Sequence, residues 1–173
     1  LVSVKAIKPL TDPKLGSASV DDINYLAQAI RNAQLPVLLL GNGASTSKVT
    51  QAIRQLLTAV KLPVVETFQG AGIVSRELEE DTFFGRVGLF RNQPGDMLLK
   101  KADLVIAIGY DPIEYEARNW NAEISARIIV IDVAQAEIDT YFQPERELIG
   151  DIADTIQLLL PAINGYSLPK TSV

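Results

Sequence analysis

Neither cysteine nor histidine occurs anywhere in this 173-residue chain. Without thiols there is no disulfide, no thiolate nucleophile and no cysteine metal site. Without imidazole the commonest general base and the commonest metal ligand are missing, and a Ser-His-Asp triad has no middle member. Positive charge is also scarce. Sixteen Lys and Arg against 21 Asp and Glu give a formal net charge of −5, which opposes nucleic-acid binding, where phosphates demand clustered cations. No apolar run approaches the ~20 residues of a membrane span, and no basic, apolar, small-residue leader is present. The chain starts at Leu1 rather than Met and is read as an excised piece of a longer protein.

The remaining composition, 47% hydrophobic and 21% charged, is that of an ordinary globule. A chain of this length forms one domain and buries roughly 70% of its unfolded surface without staples. Three short apolar runs end in glycine-bearing turns: Leu38-Leu39-Leu40-Gly41-Asn42-Gly43, Val64-Val65-Glu66-Thr67-Phe68-Gln69-Gly70-Ala71-Gly72 and Leu104-Val105-Ile106-Ala107-Ile108-Gly109-Tyr110-Asp111. Runs without alternation are expected of strands buried on both faces. Turns of this kind at the carboxyl edge of one parallel sheet make a ligand-sized crevice.

Along the chain, residues 1–18 read as a linker punctuated by Pro9, Pro13 and Gly16. Ser19 N-caps a helix whose inner face is Ile23, Leu26, Ala27 and Ile30. Pro36 opens a strand to Leu40, and Ser45 to Ser47 cap a helix with Val49, Ile53, Leu56, Leu57 and Val60 inward. Pro63 opens the next strand. Residues 69–82 are turn-rich and receive no element. Phe83–Val87 is a short strand, Asp96 caps a short helix through Lys101, and Asp103–Ile108 is the strongest strand. Residues 111–125 are irregular. Arg127–Val133 is a strand, Ala134–Ile138 one helical turn, Glu147–Ile149 an edge strand, and Asp151 caps a last helix. Residues 164–173 read as an exit linker. The alternation predicts an α/β, Rossmann-like three-layer domain over 19–163, with a mainly parallel sheet of about six strands and helices on both faces.

Each candidate site has a plain alternative. Gly41-Asn42-Gly43 offers backbone N–H groups to a phosphate, but Thr46 breaks the G-x-G-x-x-G spacing, and a tight strand-to-helix turn is the better explanation of a partial fingerprint. Gln69 beside Phe68 and two glycines marks a contact surface or a simple turn. In Gly85–Asp96, Arg91 suits an anion or carboxylate, or else a weak surface ion pair. Asp111, Glu114 and Glu116 follow a strand end, and without histidine they read as a solvated acidic loop rather than a metal site. Asp132 stands where a ribose-binding acid sits in nucleotide folds, or caps the next turn.

Thr67–Gly72, Phe84–Asp96 and Ile108–Tyr115 together resemble the central domain of the catabolic, FAD-independent α-acetolactate synthases, in the thiamine-diphosphate enzyme superfamily. The resemblance covers about residues 15 to 163. It implies a cytoplasmic, homo-oligomeric enzyme that joins two pyruvates into 2-acetolactate with loss of carbon dioxide, on the way to acetoin. Thiamine diphosphate and Mg²⁺ would be held by N- and C-terminal domains. The Gly-Asp-Gly…Asn-Asn and glutamate motifs of those domains are not in this sequence, so the chain alone should bind neither cofactor and contains no catalytic residue or metal ligand. FAD-binding relatives carry a pattern like Gly-Ala-Arg-Phe-Asp-Asp-Arg where this chain has Gly109–Tyr115, and Met-His-Gly where it has Leu89-Phe90-Arg91. FAD is therefore not expected. The residues Gly41, Asn42, Gly43, Thr67, Phe68, Gly88, Gly109, Tyr110, Asp111 and Asp132 would line a vestigial crevice. Gln69, Leu89, Phe90 and Arg91 would face the active-site edge, with Arg91 attracting pyruvate's carboxylate. An FAD- or NAD-binding module and a free-standing scaffold are the competing readings.

Overall fold

A computed structural model describes residues 14–169. Of the two linker readings, residues 1–13 and 170–173 lie outside these residues; the described parts, 14–18 and 164–169, form no helix or strand. Six strands form one all-parallel sheet in the order β3-β2-β1-β4-β5-β6: β1 Pro36–Leu40, β2 Val64–Thr67, β3 Phe83–Val87, β4 Leu104–Ile108, β5 Arg127–Asp132 and β6 Arg146–Ile149. Strands β1 and β4 pair in register from Pro36↔Leu104 to Leu40↔Ile108. Between them the strand order reverses, which makes their carboxyl ends the switch point of a doubly wound sheet.

Both faces of the sheet are covered, so its central strands carry no polar alternation. On one face Leu38, Leu40, Ile106, Ile129 and Ile131 pack against helices α1 (Val20–Asn32), α2 (Ser47–Ala59) and α5 (Ile152–Ala162). On the other face Val37, Leu39, Val105, Ala107 and Val130 meet Leu98 and Leu99 of α4 (Pro94–Lys101) and an aromatic group of Tyr110, Trp120 and Phe142. These three rings pack edge-to-face with centroids 5.4–6.5 Å apart, a geometry that suits their quadrupoles. Phe142 is fully buried.

The caps follow the sequence. Ser19, Thr46 and Asp151 accept backbone N–H bonds at the starts of α1, α2 and α5. Three readings are corrected. Arg76–Thr82 is a helix, α3, in the stretch left without an element. It lacks an apolar stripe: Thr82 is its one fully buried residue and Leu78 packs partly on the core. Gln93, not Asp96, is the N-cap of α4; Asp96 is the N3 member of a capping box, accepting the Gln93 N–H at 2.8 Å. Ala134–Ile138 forms no helical turn, because the Ala136 N–H is taken by the Glu147 carboxylate at 2.7 Å.

The incoming segment is fastened to α5. The Gly16 carbonyl accepts from Asp151 N–H (2.8 Å), and Ala18 N–H donates to Thr155 Oγ1 (3.0 Å). A Cβ on Gly150 would stand 2.6 Å from the Gly16 carbonyl oxygen, so the approach requires glycine there.

Candidate functional site

The loops that leave the carboxyl ends of β1, β2, β4 and β5 converge on one crevice. At its base two glycine turns interlock. Gly43 N–H donates to the Gly109 carbonyl (2.8 Å), and Gly41 N–H to that of Ile108 (3.1 Å). Gly109 has φ +55°, and a Cβ there would lie 2.4 Å from Ala44 N.

Above this floor sits Glu114. Both of its carboxylate oxygens lie 3.1 Å from Asn42 N, and they also accept from Asp111 N (3.2 Å) and Thr67 Oγ1 (2.6 Å). Thr67 in turn accepts the Gly70 N–H (3.0 Å). The Ala44 N–H donates to the Gly41 carbonyl (3.1 Å). Every N–H from Gly41 to Ala44 therefore has a partner within the chain. A tethered carboxylate holds the place that the sequence reading offered to a phosphate. The expectation that the acidic loop is merely solvated is corrected accordingly: Glu114 turns back into the crevice because N–H and hydroxyl donors converge there.

A cavity of about 370 Å³ remains over this floor, lined by Asn42, Gln69, Asp111, Glu114, Asp132 and Glu137 among others. Its four carboxylates repel the diphosphate of a dinucleotide. Asp132 accepts the Val133 N–H at 2.6 Å and so caps the following turn. Burial chiefly, and then the nearby Asp111 carboxylate, pushes its carboxyl above the ordinary range. The residues present do not fit FAD or NAD.

The other candidates fall at defined places. Phe68, Leu89 and Phe90 are exposed at the same sheet edge, together with Ile113, which is 84% exposed. Gly88 adopts φ +109° beneath Leu89. Arg91 is exposed and borders two neighbouring hollows. Tyr110 is buried: its hydroxyl donates to the Tyr115 carbonyl and its ring belongs to the aromatic group. Tyr115, which the sequence left unassigned, donates to Asp96 at 2.6 Å and ties this loop to α4. Among the described residues no group of three His, Cys, Asp or Glu is placed to hold a metal ion, and no helix is long and apolar enough to cross a membrane.

Glu66, also unmarked by the sequence, is 1% exposed on β2. It accepts the Val74 N–H (2.7 Å) and the Gly72 N–H (3.3 Å), which pins the loop carrying Gln69. Burial raises its carboxyl above the ordinary 4.5, against the lowering effect of those N–H groups and of Arg86. A raised carboxyl stabilises the fold fully below the unfolded value, and that contribution is lost as pH rises through the folded one. Urea titrations of wild type and Glu66→Gln should show wild type at its greatest relative advantage below pH 4.5, with the difference shifting toward the variant as pH rises. A difference that is flat with pH would refute this.

A parallel sheet with this strand order and a switch-point crevice defines the doubly wound, dinucleotide-binding class of domain, here with its anion position filled from within. The chain belongs to a more particular group within that class. Residues 23–159 match the family described as "Thiamine pyrophosphate enzyme, central domain", and the chain is a member of it. It is 49% identical over 156 residues to an acetolactate synthase of Bacillus subtilis, covering 90% of this chain and 27% of the relative. It is 40% identical over 151 residues to the catabolic acetolactate synthase of Raoultella terrigena, covering 87% and 27%. The isozyme 2 large subunit of acetolactate synthase from Escherichia coli is 27% identical over 147 residues, or 84% and 26%. The chain thus spans about a quarter of the length of the curated relatives it matches.

Proposed function

We propose that this chain is the central domain of an acetolactate synthase of the catabolic, FAD-independent kind, which condenses two pyruvates to 2-acetolactate and releases carbon dioxide. The carrying observation is the 49% identity across 90% of the chain to a synthase of that name, joined to a crevice whose anion position Glu114 already fills. The thiamine diphosphate and Mg²⁺ of such an enzyme supply the carbanion chemistry. They do not fit the donors of this chain, where the N–H groups at the switch point are engaged internally. We assign them to flanking N- and C-terminal domains, joined through linkers around 1–18 and 164–173. No catalytic step belongs to this chain. Its role is to space those domains, support a cytoplasmic homo-oligomer, and form one edge of the active-site entrance with Gln69, Leu89, Phe90 and Arg91.

Arg91 would draw pyruvate's carboxylate by charge-assisted hydrogen bonding. A chimera tests both statements: residues 14–169 replace the matched segment of the Bacillus subtilis synthase. It should form acetolactate from pyruvate with thiamine diphosphate and Mg²⁺ and without added FAD. Its Arg91→Ala form should show a several-fold higher KM with kcat little changed. A folded chimera that requires FAD, or makes no acetolactate, rejects the function; an unchanged KM rejects the role of Arg91 alone.

A further inference from the structure

Away from the crevice, between α4 and the loop from Tyr115 to Ser125, lies a second cavity of about 480 Å³. Three cationic side chains line it, Arg91, Lys100 and Arg118, against one carboxylate, Glu123. That sign is opposite to the −5 of the whole chain. Arg118 is held by Glu116 at 2.5 Å. Arg91 and Lys100 have no carboxylate partner among the described residues, and Lys100 reaches only Asn92 Oδ1, at 3.4 Å. With Arg118 paired to Glu116, and with Glu123 on the same wall, Arg91 and Lys100 leave the hollow one positive charge in excess, which favours an anion. Asn119 and Ser125 add polar groups to the wall, while buried Tyr115 and Trp120 form an apolar side. Such a wall keeps water off one side and strengthens ionic hydrogen bonds across the cavity.

The backbone is unusual in the same place. The two non-glycine residues with positive φ among those described are Asn92 (59°), which lines this cavity, and Ile124 (50°), which lies in the chain between the lining residues Glu123 and Ser125. A β-branched residue in the left-handed region is an outlier, and such strain persists where the surroundings demand a particular loop shape.

We propose that this cavity binds the phosphoryl group of a small metabolite, with Arg91 clamping it through its planar fork and Lys100 completing the charge. The site is distinct from the crevice over Glu114; it shares Arg91 with the entrance edge proposed above, but its charge and shape are argued without that function.

Trp120 is the single tryptophan of the chain and forms part of the cavity wall, so it is a built-in reporter. The 173-residue chain is titrated at low ionic strength with inorganic phosphate, and with acetate at matched ionic strength as a monoanion control. The expected result is a saturable change in Trp120 fluorescence with phosphate alone. It should be weakened at least tenfold in Lys100→Gln and in Arg91→Gln, and unchanged in Lys101→Gln, whose side chain lies outside the cavity. Thermal unfolding midpoints equal to wild type certify that the variants are folded. No saturation, or equal affinity in Lys100→Gln, overturns the proposal. Phosphate binding that is present in the 173-residue chain but lost in the chimera would show that a neighbouring domain fills the cavity, and would overturn it too.

Discussion

Gly109→Ala should leave a chain that does not reach the native fold, at a cost of more than about 4 kcal/mol, in the range reserved for broken backbone geometry. The positive φ of 55° alone would cost an L-residue only ~1–2 kcal/mol. The larger effect is the clash. The new Cβ would stand 2.4 Å from Ala44 N and 2.5 Å from the Gly43 carbonyl carbon, and neither is the end of a flexible side chain. Relief requires the turn after β1 and the end of β4 to separate, which breaks the Gly43–Gly109 bond at 2.8 Å and uncovers the core beneath. Far-ultraviolet circular dichroism through a thermal ramp reads this directly. A cooperative transition at the wild-type midpoint would show that the two turns do not interlock.

Glu114→Ala carries the second large effect, with a different signature. It removes one acceptor and strands three donors, Asn42 N, Asp111 N and Thr67 Oγ1. Hydrogen bonds to a charged group contribute ~1.5–3 kcal/mol each, but Glu114 is only half-buried and water re-enters beside the exposed donors, so the net loss should be about 2–3 kcal/mol in urea. Glu114→Gln, which keeps one acceptor oxygen, should lose about half as much. The vacated position matches one carboxylate, so excess formate, a monoanion of that size, should raise the thermal midpoint of Glu114→Ala while leaving wild type unmoved. Equal response of the two proteins would contradict the assignment of Glu114 as a built-in anion.

What could be read from the sequence was whatever depends on neighbours in the chain. The unbroken apolar runs of β1 and β4 announced strands covered on both sides, and Ser19 and Asp151 announced helix starts, because those signals are local. Helix α3 was missed because Arg76-Glu77-Leu78-Glu79-Glu80-Asp81-Thr82 presents almost no apolar stripe, lying mostly exposed at the rim of the sheet. The helical turn expected at Ala134–Ile138 lost to a bond from Glu147, eleven residues onward. Glu114 was the costliest omission. Two of its three donors lie 72 and 47 residues away, so an acidic loop gave no sign of those partners. The one usable clue was that glycine turns after β1 and β4 implied close backbone approach, and hence N–H groups needing an acceptor.

The clasp between the segment at Gly16–Ala18 and the start of α5 also bears on mechanics. Tension applied through the residues before Gly16 meets Asp151 and Thr155 first, so it is carried along a helix axis and not peeled off the sheet one strand at a time. Under a pulling force the clasp and α5 should yield as one unit, while the β1–β4 pair stays shielded until they have gone.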